Sequence, residues 1–265
     1  MPLPATLVTE LRTILRSFRA AHGPAAVPGG AGKALEAWLL MKLAETATRL
    51  PAWQVSLRQG DGTPLPPRSS FKLPAQHSAI PASSATASGF VLLEHQRYPD
   101  RRLELHGSLR WRGRSGATHE CDISVVPALI AEALRNSGGG YPRGLPVAAI
   151  ECKDKTSVGT LDETRQTLAR MFDLVLVTQP VPGWSCRIFE ENTGRRWGRK
   201  SSRYVSFFAK GSFGIVRAGG FQGGAHSLGS HYHVARYDLI YASGGASLSA
   251  LQQSFRTTLA TIASF

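Results

Sequence analysis

Apolar residues recur at helical spacing from the start of the chain. Leu7, Leu11, Ile14, Leu15 and Phe18 share one face, which predicts an amphipathic helix that packs on a core. A Gly/Pro-rich break from Gly23 to Gly32 ends it. GKALEAWLLMKLAETATRL then predicts a second, more apolar helix that stops before Pro51, and WQVSLR (Trp53 to Arg58) alternates like a strand. Gly60 to Ser88 is rich in Pro, Ser and Ala and reads as a long loop holding at most one short strand.

From Phe90 the pattern becomes β. GFVLLEH, RRLELHGSLRWRG and THECDISVV predict strands, the last two joined by a turn over Arg112–Gly116. PALIAEALRNS reads as a short helix, GGGYPRG as a flexible tip and LPVAAIECK as an apolar strand ending in charge. LDETRQTLARMF predicts a helix, with Thr160 as N-cap and Glu163 completing a capping box. DLVLVTQ predicts a buried strand after it. The last third, from Pro180, is Gly- and aromatic-rich, with strands expected at Tyr204–Phe208, Gly214–Arg217 and His231–Tyr241 and a closing helix from Ser247 to about Ala263. Together these elements predict an α/β fold, a mixed β-sheet core flanked by helices. Two units are expected: a core over 1–180 with its N-terminal helix, and a β-containing C-terminal extension over 181–265 packed on it.

Charge narrows the choice of partner. Lys and Arg number 31 against 18 Asp and Glu, a net charge of +13. Such an excess favours a polyanion, because cations that neutralise phosphates release condensed counterions. No run of 18 apolar residues predicts a membrane span, and the N-terminal stretch lacks the continuous apolar segment of a signal peptide. The three cysteines, Cys121, Cys152 and Cys186, have neither zinc-ligand spacing nor an even count, which points away from a disulfide framework and toward a reducing cytoplasm.

Alternation makes a sharper statement about chemistry. In HECDISVV, Glu120, Asp122 and Ser124 face one way; in PVAAIECKDK, Val147, Ala149, Glu151 and Lys153 do. If the two strands are neighbours, two carboxylates and an ammonium converge at the strand ends. Crowded acids need a counter-charge, which a divalent cation supplies. Mg²⁺ suits such a site, since it accepts one or two carboxylates and leaves positions for a phosphate oxygen. An adjacent lysine eases hydroxide formation and charge build-up on phosphorus. Phosphodiester hydrolysis needs these parts.

On these residues the chain resembles the PD-(D/E)xK, or restriction-endonuclease-like, nucleases. GRSGATHECDISVV resembles their acid-bearing hairpin, VAAIECKDK their E-x-K strand, and GKALEAWLLMKL the helix that precedes the core. The match runs from about Gly32 to Thr178. It implies that Asp122 and Glu151 bind Mg²⁺ (or Mn²⁺), with the Cys152 main-chain carbonyl as a third oxygen. Lys153 would activate the attacking water, and Glu36 would bind a second metal or orient a water. Gln166 and Glu120 are possible auxiliary residues. Cys121 stands where the family has proline, and twenty-nine positions separate Asp122 from Glu151.

The implied activity is that of a metal-dependent endonuclease, a Mg²⁺-dependent phosphodiesterase cutting DNA in restriction, repair or mobile-element defence. The alternatives are a silent nucleic-acid-binding module of the same fold and an RNA-directed nuclease. Cutting both strands of a duplex would suit a homodimer. Arg110, Arg112, Arg114 and Lys155 flank the expected centre and could track a phosphate backbone. So could the tract Arg195, Arg196, Arg199, Lys200 and Arg203, with Trp197 and Tyr204 interleaved. Bland readings stand beside these: a Glu36–Lys33 ion pair, and solvated loops for the basic tracts. GSFGIV imitates a kinase glycine loop without the rest of a kinase. His226, His231 and His233 lack the acid or cysteine a metal shell would need.

Overall fold

The computed structural model describes residues 5–18, 32–74, 78–83, 86–113, 115–143, 146–174, 213–232, 234–241 and 245–263. Helices Ala5–Ser17 (α1) and Lys33–Thr48 (α2) precede the strands Trp53–Arg58 (β1), Ile80–Pro81 (β2), Phe90–His95 (β3), Arg102–Arg112 (β4) and Thr118–Pro127 (β5). Then come Ala128–Asn136 (α3), Gly139–Gly140 (β6), Ala148–Lys153 (β7) and Leu161–Leu174 (α4). Phe213–Arg217 (β8), Gly223–His231 (α5), Ala235–Tyr237 (β9) and Ala246–Ala263 (α6) complete the described elements.

Seven strands form one sheet in the order β1-β3-β4-β5-β7-β8-β9. From β1 to β7 all neighbours are antiparallel, whereas β7, β8 and β9 run parallel. Parallel neighbours need crossovers, and α4 and α5 lie in the chain between those strands. Strands from both sides of residue 180 therefore share one sheet. The parallel neighbour of the E-x-K strand is Phe213–Arg217, and the strand expected at DLVLVTQ falls largely outside the described residues. Asp173 and Leu174 of that segment belong to α4, and 175–179 lie outside the described residues. A short apolar run after a helix does not by itself tell strand from helix continuation.

Helix α2 is apolar nearly all round because it touches α1, α6 and strands β1, β4 and β5. The stripe on α1 packs as its spacing requires: Leu7, Leu11, Ile14 and Leu15 are buried, and Trp38 Nε1 donates to Glu10 at 2.9 Å. The expected strand His231–Tyr241 is shorter, because His231 ends α5 and only Ala235–Tyr237 pairs, with β8. The triglycine tip is tied down, for Gly139 and Gly140 pair with Pro81 and Ile80. Gly139 has φ +83°, and a Cβ there would meet the Ile80 carbonyl at 2.7 Å. Among the described residues no helix is long and apolar enough to cross a membrane.

One buried charge cluster braces the sheet away from the acid-bearing strand ends. Glu104 on β4 accepts two hydrogen bonds from Arg135 of α3, both at 2.7 Å, and contacts His106 Nε2 at 2.8 Å. Burial pushes the Glu104 carboxyl up, but the Arg135 and His106 contacts outweigh it and hold the pKa below the usual carboxylate value. Arg135→Ala would strand this carboxylate. It is expected to cost about 3–5 kcal/mol in urea unfolding; a loss below about 1 kcal/mol, the scale of an exposed pair, would contradict that account.

Candidate active site

The pairing between β5 and β7 runs through Val125↔Ala148, Ser124↔Ala149 and Ile123↔Ile150. One step further, Asp122 and Glu151 come abreast, and the main-chain ladder gives way. The Cys152 N–H donates to Asp122 Oδ2 at 2.7 Å instead. The 29-residue offset between the acids is taken up by the rest of β5, α3, β6 and the return to β7, so the insertion does not separate the strands. The first turn of α2 brings Glu36 to the same cluster. Glu36, Asp122 and Glu151 are only 8 %, 9 % and 7 % exposed, which makes their charges expensive.

Protein cations meet two of these carboxylates. Lys33 donates to Glu36 at 2.8 Å, to Ser108 Oγ at 2.8 Å and to Glu120 at 3.4 Å. Ser108 Oγ in turn donates to Glu36 at 2.9 Å. Glu151 accepts from Lys153, its neighbour on the same strand face, and from Arg170 of α4, which reaches both oxygens at 2.9 Å. Among the described residues Asp122 has no such cation partner. Burial first, then the charges of Glu151 and Glu36, push its carboxyl up to about 8. Burial also raises Glu36, against the lowering pull of Lys33. Burial alone would lower the Lys33 ammonium, but Glu36, Glu120 and Asp122 raise it.

A hard divalent cation fits this donor set. The groups are oxygens, they are withdrawn from water, and the raised Asp122 marks a place short of positive charge. Asp122 and Glu151 are the residues able to hold such an ion, with Glu36 beside them. Even so, among the described residues no group of three or more His, Cys, Asp or Glu side chains is already arranged to do so. Glu36 and Glu151 are instead both engaged by lysine or arginine.

The other expected residues fall out unevenly. Glu120 joins the cluster through Lys33. Cys152 meets Asp122 through its N–H. Gln166 is exposed on α4, and Arg170, one turn on, makes the contact with Glu151. Lys155 is exposed and lies 3.5 Å from Glu163. Arg110 is half-buried opposite Glu120, and Arg112 is exposed at the end of β4. Arg114, Arg195, Arg196, Arg199, Lys200 and Arg203, and the strand expected at Tyr204–Phe208, lie outside the described residues. His226 accepts from Arg236 at 3.2 Å, while His233 lies outside the described residues. GSFGIV is largely the interior strand β8.

Sequence reasoning missed Arg170 and Ser108. Arg170 carried a faint signal, lying four positions after Gln166 and so on the same helix face. Ser108 carried none, because its position depends on a left-handed backbone, φ +48°, inside a strand. No protein-family model matches the chain, and no curated protein or solved structure matches it significantly.

Proposed function

We propose that the chain is a metal-dependent nuclease of the PD-(D/E)xK kind, hydrolysing phosphodiester bonds in DNA. The observation that carries this reading is the meeting of Asp122 and Glu151 on neighbouring strands, with Glu36 close enough to help raise the Asp122 carboxyl. The order of elements supports it too: α2, the antiparallel strands β4, β5 and β7, then α4 and a strand parallel to β7. So does the net charge of +13.

Asp122 and Glu151 would hold Mg²⁺, with the Cys152 carbonyl as a further oxygen. Bound there, the ion supplies Lewis acidity toward a phosphate oxygen and acidifies water. Lys153 pairs its ammonium with Glu151 Oε1, from where it can orient the attacking water and offset charge growing on phosphorus. Arg170 is partly exposed at the same carboxylate and is placed to meet a phosphate. Glu36, fixed by Lys33 and Ser108, keeps a defined carboxylate next to Asp122.

The pairing of Glu151 with Lys153 and Arg170 favours one rival: a binding module of the same fold whose carboxylates serve only as ion pairs. Circular and linear DNA and RNA, incubated with Mg²⁺ or with EDTA, separate the two. Cleavage of DNA that needs the metal is expected. Cleavage indifferent to chelator would sink the metal mechanism, cleavage of RNA alone would redirect the substrate, and binding without cleavage would favour the silent module.

A further inference from the structure

Lys33 is held unlike a surface lysine. Its ammonium has three protons, and three oxygens face it: Glu36 Oε2 at 2.8 Å, Ser108 Oγ at 2.8 Å and Glu120 Oε1 at 3.4 Å. The Ser108 oxygen comes at a conformational cost. Ser108 is fully buried and non-glycine, yet its φ is +48°. Its carbonyl is turned to accept from the Ser78 N–H at 2.9 Å. The β4–β5 register pairs Gly107 with Ile123 and Leu109 with Cys121, so Ser108 stands at the position facing Asp122. Such strain persists only where the surroundings over-determine it, and here it aims a hydroxyl at Lys33 and Glu36.

We infer that the Lys33 ammonium takes the second cation position of this acid cluster, so that the site loads one divalent ion per chain rather than two. The inference rests on the metal-dependent reading above. Glu36, the carboxylate that would otherwise be free to bind a second ion, is committed to Lys33 and Ser108. A second ion would crowd like charges against the Lys33 ammonium beside the buried Glu36 and Asp122 carboxylates.

Counting Mn²⁺ ions per chain by calorimetric titration, with electron paramagnetic resonance as an independent count, tests this without any reading of activity. Wild type should bind one. Lys33→Met should bind two, because removing the ammonium takes away the cation to which Glu36 is committed; Lys33→Arg, which keeps the charge, should stay at one. Circular dichroism checks that each variant is folded. Two ions on wild type or on Lys33→Arg, or one on folded Lys33→Met, would overturn the inference while leaving the metal-dependent reading intact. No ion on wild type would overturn both. If Lys33→Met does not fold, the wild-type and Lys33→Arg counts still decide.

Discussion

Asp122→Asn is expected to abolish metal-dependent cleavage and, in the metal-free protein, to raise the melting temperature at pH 8. The two effects share one cause. Asp122 is buried beside Glu151 and Glu36, so its carboxyl holds its proton to about pH 8, far above the ordinary value of 3.8. Between those values the folded chain binds a proton that the unfolded chain releases. Folding stability therefore falls as pH rises from about 4 to about 8. Asparagine still offers an oxygen to the Cys152 N–H but cannot ionise, so it escapes that loss. One pKa unit corresponds to about 1.4 kcal/mol. About 1 kcal/mol moves the midpoint of a domain this size by roughly 2–4 °C, so the gain at pH 8 should be several degrees. It should shrink toward nothing near pH 4. Saturating Mg²⁺ should reverse the order at pH 8, because the ion stabilises only the chain that keeps its carboxylate. Melting curves at both pH values, with and without Mg²⁺, check this. A variant less stable than wild type at pH 8 without metal would show that Asp122 is not the strained acid of the cluster.

Lys153→Ala is expected to lower the cleavage rate by about 10²–10³-fold, the scale of removing one group that stabilises developing charge. Mn²⁺ binding should survive, since lysine is not a ligand. It should even tighten, because Lys153 now competes for Glu151. Arg170 would still hold both Glu151 oxygens, so the variant should fold. Measuring binding and single-turnover cleavage side by side distinguishes this from Asp122→Asn, which should lose both. Wild-type rates in Lys153→Ala would place the chemistry elsewhere.

Much of the fold was legible locally. Helices α1, α2, α3, α4 and α6 and strands β1, β3, β4, β5 and β7 follow from spacing, because each has a face whose burial imposes a period of 3.6 or 2. Thr160 caps α4 as expected, accepting from the Glu163 N–H at 3.4 Å. The return half of the capping box gives way to tertiary demands, as the Glu163 carboxylate pairs with the buried Arg217 and with Lys155. The face shared by Glu120 and Asp122, and that shared by Glu151 and Lys153, could likewise be written down from alternation alone.

What alternation could not supply was which strands become neighbours, since pairing partners are chosen by burial across the whole chain. Only the tertiary structure put β8 beside β7 and brought the start of α2 to the acids. The charge balance was equally hidden. Lys33, Glu36, Ser108 and Glu120 come from one helix and two strands, and Arg170 reaches Glu151 from α4. By itself the sequence determined which residue types and faces were on offer, because local geometry follows from local periodicity. The tertiary structure decided which charges meet, because the energy of a buried ion depends on every neighbour within a few ångströms, however distant in the chain.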